Sequence, residues 1–178
     1  MTYLIILFFI FIFLILSLIV GWSLKNGISP MPTTPQAKRV LLGNLPQHWS
    51  GTILELGSGW GTLAFPLARK YPNCTILAYE NSPIPYFISK IRLLFSRDKN
   101  LKFKRQDFFE ANFEDGTMIV CYLYPRAMQK LKEKFERELT KGTLITSNTF
   151  SIPGWKVHKA FEIHDMYHSK IYVYLYGE

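Results

Sequence analysis

The chain has 178 residues and a formal net charge of +8, and 48% of its residues are hydrophobic. This length suffices for one domain with an appendage. The two cysteines, Cys74 and Cys121, form no Cys-x-x-Cys motif, which excludes a disulfide framework and a cysteine-based metal centre. We expect both to be buried, reduced thiols of a cytoplasmic domain.

The chain begins with an apolar run. From Tyr3 to Val20 there is no charge, and Ser17 is the only polar interruption. About 20 residues at ~1.5 Å each span roughly 30 Å, the thickness of a bilayer core. A signal peptide is the competing interpretation, but it requires a basic n-region, a shorter apolar core and a small-residue cleavage site. A buried core helix is the third, although the run is apolar on every face. Because no Lys or Arg precedes the run, we predict that residues 1–23 are an uncleaved transmembrane anchor.

Basic residues follow this run on its C-terminal side. Lys25, Lys38 and Arg39 all come after it. By the positive-inside rule, this asymmetry predicts that the rest of the chain is cytoplasmic. We therefore expect a single-pass protein of the cell (inner) membrane.

A proline-rich segment comes next. Three prolines within residues 24–36 exclude a continuous helix there. We predict that residues 24–50 form a linker and a short helix, Pro35–Leu45. Thr34 is its expected N-cap and Pro35 its first helical residue.

Strand and helix patterns alternate through residues 51–178. Strands are predicted at residues 53–57, 75–79, 101–106, 117–124, 142–149, 157–163 and 168–176, and helices at 62–71, 83–95 and 126–140. This alternation predicts an α/β fold with a mostly parallel sheet and helices on both faces. No helix separates the last two strands, so we expect a C-terminal antiparallel hairpin.

The helix predicted at residues 126–140 has a clear period. Met128, Leu131 and Phe135 recur on one face, as a buried apolar stripe requires. Lys130 and Lys134 are expected to lie away from that face.

The first predicted strand runs into a glycine-rich turn. Residues 53–61 read Ile-Leu-Glu-Leu-Gly-Ser-Gly-Trp-Gly. Without a Cβ, Gly57, Gly59 and Gly61 allow a tight turn and a close approach to a ligand. A dinucleotide fingerprint would have its third glycine at Thr62, one residue later than Gly61. The pattern therefore indicates a nucleoside-like cofactor other than a dinucleotide, bound at the carboxyl edge of the sheet.

A second acidic position follows the second predicted strand. Glu80, with Asn81 next to it, comes about 20 residues after the glycines, where an acid can bind ribose hydroxyls. Alternatively, the glycines are an ordinary turn and Glu80 a surface residue.

Together these residues resemble the first motif, E-x-G-x-G-x-G, of class I S-adenosylmethionine-dependent methyltransferases. Three further segments narrow the resemblance, namely Pro32-Thr-Thr-Pro35, Tyr122-Leu-Tyr-Pro125 and Pro153-Gly-Trp155. With the apolar run before them, residues 30–160 resemble the membrane-anchored ATP synthase c-subunit lysine N-methyltransferases. The first motif of that family commonly reads Asp-Leu-Gly-Ser-Gly-Asp-Gly-Arg, and this chain departs from it at Glu55, Trp60 and Thr62.

The resemblance implies a Rossmann-like class I methyltransferase domain at residues 51–178 and S-adenosyl-L-methionine as the cofactor. The expected cofactor-binding residues are Glu55, Gly57, Ser58, Gly59, Gly61, Glu80, Asn81, Asp107 and Thr33. The acid after the third strand, Asp107, is expected at the adenine amine, and a solvated loop residue is its alternative. Glu55 is expected either at the amino-acid end of the cofactor or as a support of the glycine loop. Residues 32–34 either cap the site or form a stiff spacer.

Two tyrosines are the predicted catalytic residues. A lysine acceptor must lose its proton before it attacks a methyl group, and its reference pKa is about 10.4. Tyr122 and Tyr124 end the predicted fourth strand on one face. Their hydroxyls can orient an amine and their rings can hold a methylated cation. The alternative is that both are core aromatics.

Three functions remain open at this point. The first is methylation of a protein lysine at the membrane. The second is methylation of a small, lipid-like or quinone-like molecule, and the third is a non-catalytic, membrane-anchored cofactor-binding module. The basic residues of 102–105 and 130–141 favour an anionic lipid surface or simply a solvated face, and we expect no nucleic-acid partner. His164 and His168 lack converging ligands, so no metal site is predicted.

Overall fold

Seven strands form one sheet in the part of the chain that the computed structural model describes, residues 1–27 and 31–178. The strands are β1 (Thr52–Leu56), β2 (Thr75–Tyr79), β3 (Leu101–Lys104), β4 (Gly116–Cys121), β5 (Leu144–Asn148), β6 (Lys159–Glu162) and β7 (Lys170–Leu175). The helices are α1 (Thr2–Asn26), α2 (Pro35–Asn44), α3 (Ala64–Lys70), α4 (Pro83–Leu94) and α5 (Pro125–Glu138).

The strand order is β3-β2-β1-β4-β5-β7-β6. The first five strands pair in parallel, whereas β7 is antiparallel to both β5 and β6. This arrangement confirms the predicted mostly parallel sheet and the antiparallel C-terminal hairpin. The last strand of the chain, β7, lies inside the sheet, and β6 forms its edge.

Helices cover both faces of the sheet. One apolar core includes Leu41 of α2 and Leu67 of α3, with Leu93 of α4 packed against it. A second core on the other face includes Met128 and Phe135 of α5. This two-faced packing is the layered α/β architecture that the alternating elements predict.

The apolar face of α5 is buried as predicted, but one lysine is placed differently. Met128, Leu131 and Phe135 are completely buried. Lys134 is also mostly buried, which contradicts the prediction that it lies away from this face. Its ammonium lies 4.6 Å from the centroid of the Phe113 ring and 2.7 Å from a carboxylate oxygen of Glu138. A long lysine stem can pack against apolar neighbours while its charge is paired, which the helical period does not reveal.

The N-terminal helix is long and exposed. Among the described residues, α1 is the one helix long and apolar enough to cross a membrane, and none of its residues is buried. It extends three residues beyond the predicted boundary at residue 23, to Asn26, and Gly27 ends it with a φ of 70°. Residues 28–30 of the predicted linker lie outside the described residues.

The helix after the linker begins as predicted. The side chain of Thr34 accepts a hydrogen bond from the backbone N–H of Ala37 at 3.2 Å, and Pro35 is the first residue of α2. The Thr34 hydroxyl thus satisfies one of the free N–H groups at the helix start. This capped start lies one residue after Thr33, which is buried and donates its backbone N–H to Thr62 Oγ1 at 3.3 Å. The linker is therefore attached to the residue that follows the glycine motif.

Candidate active site

A cavity of about 440 Å³ lies at the carboxyl edge of the central strands, next to the end of α1. The predicted cofactor-binding residues that line it are Thr33, Glu55, Gly57, Ser58, Gly59, Glu80, Asn81 and Asp107. Both predicted catalytic residues, Tyr122 and Tyr124, line it as well. The carboxyl ends of adjacent parallel strands meet at this edge, which explains why residues distant in sequence converge here.

The glycine loop forms one wall of the cavity. The backbone N–H groups of Gly57 and Ser58 both donate to the carbonyl of Tyr79, at 3.0 Å and 2.9 Å, which ties the loop to the end of β2. Gly57 has a φ of 73°, which favours glycine, and a Cβ there would lie 2.9 Å from a terminal methyl carbon of Leu123. A Cβ at Gly59 would have no heavy atom within 4 Å and would extend into open space. Gly59 therefore leaves room for a ligand.

The structure does not bring Gly61 into the cavity wall. Its backbone N–H donates to the carbonyl of Ser58 at 2.9 Å, and its φ is 73°. A Cβ at this position would lie 3.0 Å from both Phe65 and Phe103. Gly61 thus allows the loop to turn tightly against the core.

Helix α4 holds the far side of the glycine loop. The hydroxyl of Ser89, which is completely buried, donates to the carbonyl of Gly59 at 3.0 Å. One turn further on, the guanidinium of Arg92 donates to the carbonyl of Trp60. The position of the loop therefore depends on the position of α4.

Glu80 is fixed by the backbone on both sides. One carboxylate oxygen accepts from the N–H of Gly59 and the other from the N–H of Ser82, each at 2.7 Å. Charge-assisted bonds of this length are strong, so the side chain is held rigidly at the cavity. Each oxygen retains a further lone pair, with which it can accept a hydrogen bond from a ribose hydroxyl.

Glu55 is buried in β1 with an unpaired oxygen. Its Oε2 and the hydroxyl of Ser58 have no hydrogen-bond partner among the described residues, although both are buried and both residues line the cavity. Burial raises the pKa of Glu55 well above its ordinary value, and the nearby charge of Glu80 raises it further. Unpaired buried polar atoms at a cavity are explained by a polar ligand that would satisfy them. The ammonium and carboxylate of an amino-acid group have the required chemistry.

Asp107 follows β3 and caps a short 3₁₀ turn, Phe108–Glu110. Its Oδ1 accepts from the backbone N–H of Phe109 at 3.0 Å. This bond fixes the side chain at the cavity wall. Its predicted contact with an adenine amine stays a prediction.

The two tyrosines lie beyond the strand that was expected to hold them. The fourth strand was predicted to reach residue 124, but β4 ends at Cys121. Tyr122 follows the strand, and Tyr124 is the residue before α5, in which Pro125 is the first residue. Both side chains are half-buried and line the cavity. Their catalytic role stays a prediction.

The cavity residues that the sequence does not predict include two informative groups. The first is aromatic and consists of Phe108, Phe109 and Phe150. Its signal was available, because Phe108 and Phe109 come directly after Asp107, and Phe150 follows β5 at the same edge of the sheet. The second group, Lys25 and Asn26, comes from the end of α1, and the sequence gives no signal for it.

Asn26 attaches α1 to the cavity. Its side-chain amide donates to Asn81 Oδ1 at 2.8 Å and to Ser82 Oγ at 3.1 Å, and it accepts from Asn81 Nδ2 at 3.0 Å. A Cβ at the next residue, Gly27, would lie 3.3 Å from the ring of Tyr124. The end of the apolar helix therefore contacts the predicted cofactor side and the predicted catalytic side of the same cavity.

Comparison with known proteins identifies the family of the chain. A family model for the ANTKMT methyltransferase domain matches residues 55–159. A protein-lysine N-methyltransferase of Saccharolobus islandicus is 34% identical over 156 residues, which cover 83% of this chain and 93% of that protein. The adenine nucleotide translocase lysine N-methyltransferase of Mus musculus is 26% identical, over 60% of this chain and 46% of that protein.

Solved structures agree on the fold. An RNA methyltransferase of Salinibacter ruber, determined in complex with S-adenosyl-L-homocysteine, superposes with a TM-score of 0.73. It is 23% identical, and the match covers 82% of this chain and 93% of that one. At this identity the likeness supports the Rossmann-like fold alone. It confirms the architecture that the sequence predicts.

Proposed function

Because the chain belongs to the ANTKMT methyltransferase domain family, we propose that this S-adenosylmethionine-dependent methyltransferase methylates a lysine of a membrane-associated protein. The observation that carries the proposal is the position of the cavity. It lies between the glycine loop and the end of α1, the helix proposed to cross the membrane. A lysine at the membrane surface is the acceptor that such a cavity can reach.

The residues of the cavity fit the cofactor. Glu55 and Ser58 supply buried, unpaired oxygens for its amino-acid end. Glu80 supplies a rigid carboxylate for the ribose, and Asp107 an acid for the adenine amine. Gly59 leaves open space where any side chain would intrude. When bound, S-adenosylmethionine supplies a sulfonium methyl group, which an amine attacks in line.

The other side of the cavity is aromatic. Tyr122, Tyr124, Phe109 and Phe150 line it. An apolar aromatic wall excludes water and disfavours an ammonium, so it lowers the pKa of a lysine that enters and promotes loss of its proton to solvent. The tyrosine hydroxyls accept hydrogen bonds from the neutral amine and orient its lone pair. Most of the rate enhancement then comes from positioning and desolvation.

The membrane anchor supports a protein substrate embedded in the same bilayer. Helix α1 carries no charge from Tyr3 to Val20, and the first basic residue of the chain, Lys25, lies in its last turn. The positive-inside rule supports a cytoplasmic methyltransferase domain. Enzyme and substrate in one membrane have a higher effective concentration than two soluble partners, so weak recognition suffices.

The test uses the full chain inserted into membranes from a strain that lacks the gene, so that enzyme and candidate substrates share one bilayer. These membranes are incubated with a radiolabelled methyl donor, and the labelled species is identified by mass spectrometry. We expect methyl-lysine in a membrane protein, and no labelling with Gly59→Arg enzyme. Label in a lipid or quinone would support the small-molecule alternative, and no label at all would support a non-catalytic module.

A further inference from the structure

A stripe of exposed apolar side chains lies on α4 and its C-cap. The stripe consists of Phe87, Ile88, Ile91, Leu94 and Phe95. Their exposed fractions range from 40% for Ile88 to 87% for Phe95. At about 100° per residue these positions share one side of the helix. Such a contiguous apolar patch on a protein surface marks an interaction site.

Helix α4 is largely apolar on its outward side as well as on its inward side. The side that faces the domain carries Pro85 and Ser89, which are buried, and Tyr86 and Leu93, which pack against the core. The side that faces outward carries the larger apolar residues. A surface helix of a globular protein normally shows polar residues there. The outward face of α4 therefore requires an apolar environment that the described chain does not provide.

Helix α1 indicates what that environment is. Leu18, Ile19 and Trp22 of α1 lie against residues 82–85, where α4 begins. Leu18 and Ile19 belong to the uncharged run that ends at Val20. A helix rises about 3 Å for each two residues. If α1 crosses the bilayer, its residues 18–22, which include the end of the apolar run, therefore lie at the boundary between acyl chains and headgroups. The start of α4 consequently lies at the same depth.

Basic residues flank the stripe. Around the helix axis, Lys90 borders the stripe on one side and Arg92 on the other. The guanidinium of Arg105 lies 5.9 Å from the centroid of the Phe87 ring. Apolar residues on one face with basic residues at its borders are typical of a helix that lies in the interface of a membrane with anionic lipids. The guanidinium of Arg92 is bound to the glycine loop, whereas Lys90 and Arg105 can reach the headgroups while their stems lie along the apolar surface.

We propose that α4 is a second membrane-contacting element, which lies in the headgroup region beside α1 and inserts the stripe among the acyl chains of an anionic bilayer. This inference rests on the proposed membrane span of α1 and does not depend on the methyl acceptor. Since Ser89 and Arg92 of α4 hold the glycine loop, the contact would also fix the cofactor side of the cavity at a constant height above the bilayer. A single tether would not do this.

The test measures depth in the membrane. The full chain is placed in nanodiscs of phosphatidylcholine and phosphatidylglycerol, with one environment-sensitive fluorophore on a substituted cysteine. The reporter variant is Ile91→Cys. The matched control is Glu133→Cys, an exposed position on α5, which covers the opposite face of the sheet. Phe11→Cys reports the span of α1 itself. The native cysteines are buried, and an unsubstituted sample corrects for their labelling.

We expect the label at residue 91 to shift to the blue and to be quenched by doxyl lipids at a depth of about 5–10 Å below the headgroups. The label at residue 133 should behave as in water. Quenching at residue 11 together with a water-like signal at 91 would overturn this inference and leave the anchor intact. A blue shift at 91 without quenching would also overturn it, because a protein would then cover the stripe. No quenching at 11 would overturn the span and the inference with it.

Discussion

Asn26 and Asn81 exchange two side-chain hydrogen bonds, at 2.8 Å and 3.0 Å, and thereby connect the last residue of the apolar helix to the cofactor wall of the cavity. Asn81 directly follows Glu80, whose carboxylate fixes the N–H groups of Gly59 and Ser82. Helix α1 and the predicted cofactor site are thus one structural unit. This relationship makes the cavity sensitive to changes in α1.

The first prediction concerns this pair. Asn26→Ala removes the bonds to Asn81 and Ser82, each worth about 1 kcal/mol net. Because Asn26 acts on the cofactor through Asn81, only part of this loss affects binding, and we expect the Kd for S-adenosylhomocysteine to rise by up to about tenfold, which corresponds to about 1.4 kcal/mol. Isothermal titration calorimetry on the full chain in nanodiscs measures it.

Asn112→Ala is the matched control, because Asn112 is an exposed amide that bonds to Glu114 at 3.1 Å and does not line the cavity. Its Kd should equal that of the wild type. An unchanged Kd in Asn26→Ala would show that α1 does not support the site.

The second prediction tests the open space at Gly59. Arginine at this position would extend into the cavity, and we expect cofactor affinity to fall by more than about 100-fold, about 3 kcal/mol. Gly142→Arg is the control for backbone strain. Gly142 also has a positive φ, of 91°, and open space around its Cβ position, but it is not part of the cavity wall. Equal affinities of Gly59→Arg and Gly142→Arg would disprove the proposed cofactor position.

The third prediction concerns the buried carboxyl of Glu55. Burial raises its pKa in the folded chain above the unfolded value. Between the ordinary pKa of the unfolded carboxyl and the raised pKa of the folded one, the unfolded chain has released a proton that the folded chain still binds. The free energy of unfolding therefore falls as pH rises through this range. Glu55→Gln removes this dependence. We expect the ligand-free variant to melt at a higher temperature than the wild type near neutral pH, with the difference shrinking toward about pH 5.

The same substitution should weaken cofactor binding, because a neutral amide cannot pair with an ammonium as a carboxylate does. A hydrogen bond to a charged group is worth about 1.5–3 kcal/mol, so the Kd should rise about tenfold to 100-fold. Glu133→Gln, at an exposed position of α5, should change neither quantity. A lower melting temperature with unchanged affinity would contradict the role given to Glu55.

The fourth prediction separates cofactor binding from turnover. Tyr122→Phe and Tyr124→Phe remove hydroxyls that are proposed to orient the amine. We expect kcat to fall by about fivefold to 150-fold, for a loss of about 1–3 kcal/mol. The Kd for S-adenosylhomocysteine should not change. Tyr176→Phe is the control, because its hydroxyl donates to the carbonyl of Glu136 at 3.1 Å and lies outside the cavity wall. Normal turnover in both variants would show that these tyrosines only pack.

The bounds of strands and helices could be predicted where residues at their ends give a local signal. The strand Thr75–Tyr79 has the predicted bounds, because a turn at Pro72-Asn73 and an acid at residue 80 enclose a β-branched and apolar segment. The start of α2 was likewise evident from Thr34 and Pro35. The end of β4 was not, since the apolar run continues through Leu123 although the chain leaves the sheet after Cys121.

Features that depend on contacts between residues distant in sequence could not be predicted. The position of β7 between β5 and β6 depends on pairing between distant segments, which no local pattern specifies. The burial of Lys134 depends on Phe113 and Glu138, of which the former is 21 residues away in sequence. The contribution of Asn26 was hidden for a different reason. It follows the apolar run from Tyr3 to Val20, which leads to the interpretation of this helix as an anchor alone.

A crystal structure of the full chain with S-adenosylhomocysteine, grown from a lipidic mesophase, tests the central claim most directly. We predict density that fills the 440 Å³ cavity, with its amino-acid end at Glu55 and Ser58, its ribose at Glu80 and its adenine near Asp107. A cavity closed by side chains, or a ligand bound elsewhere on the chain, would contradict the account.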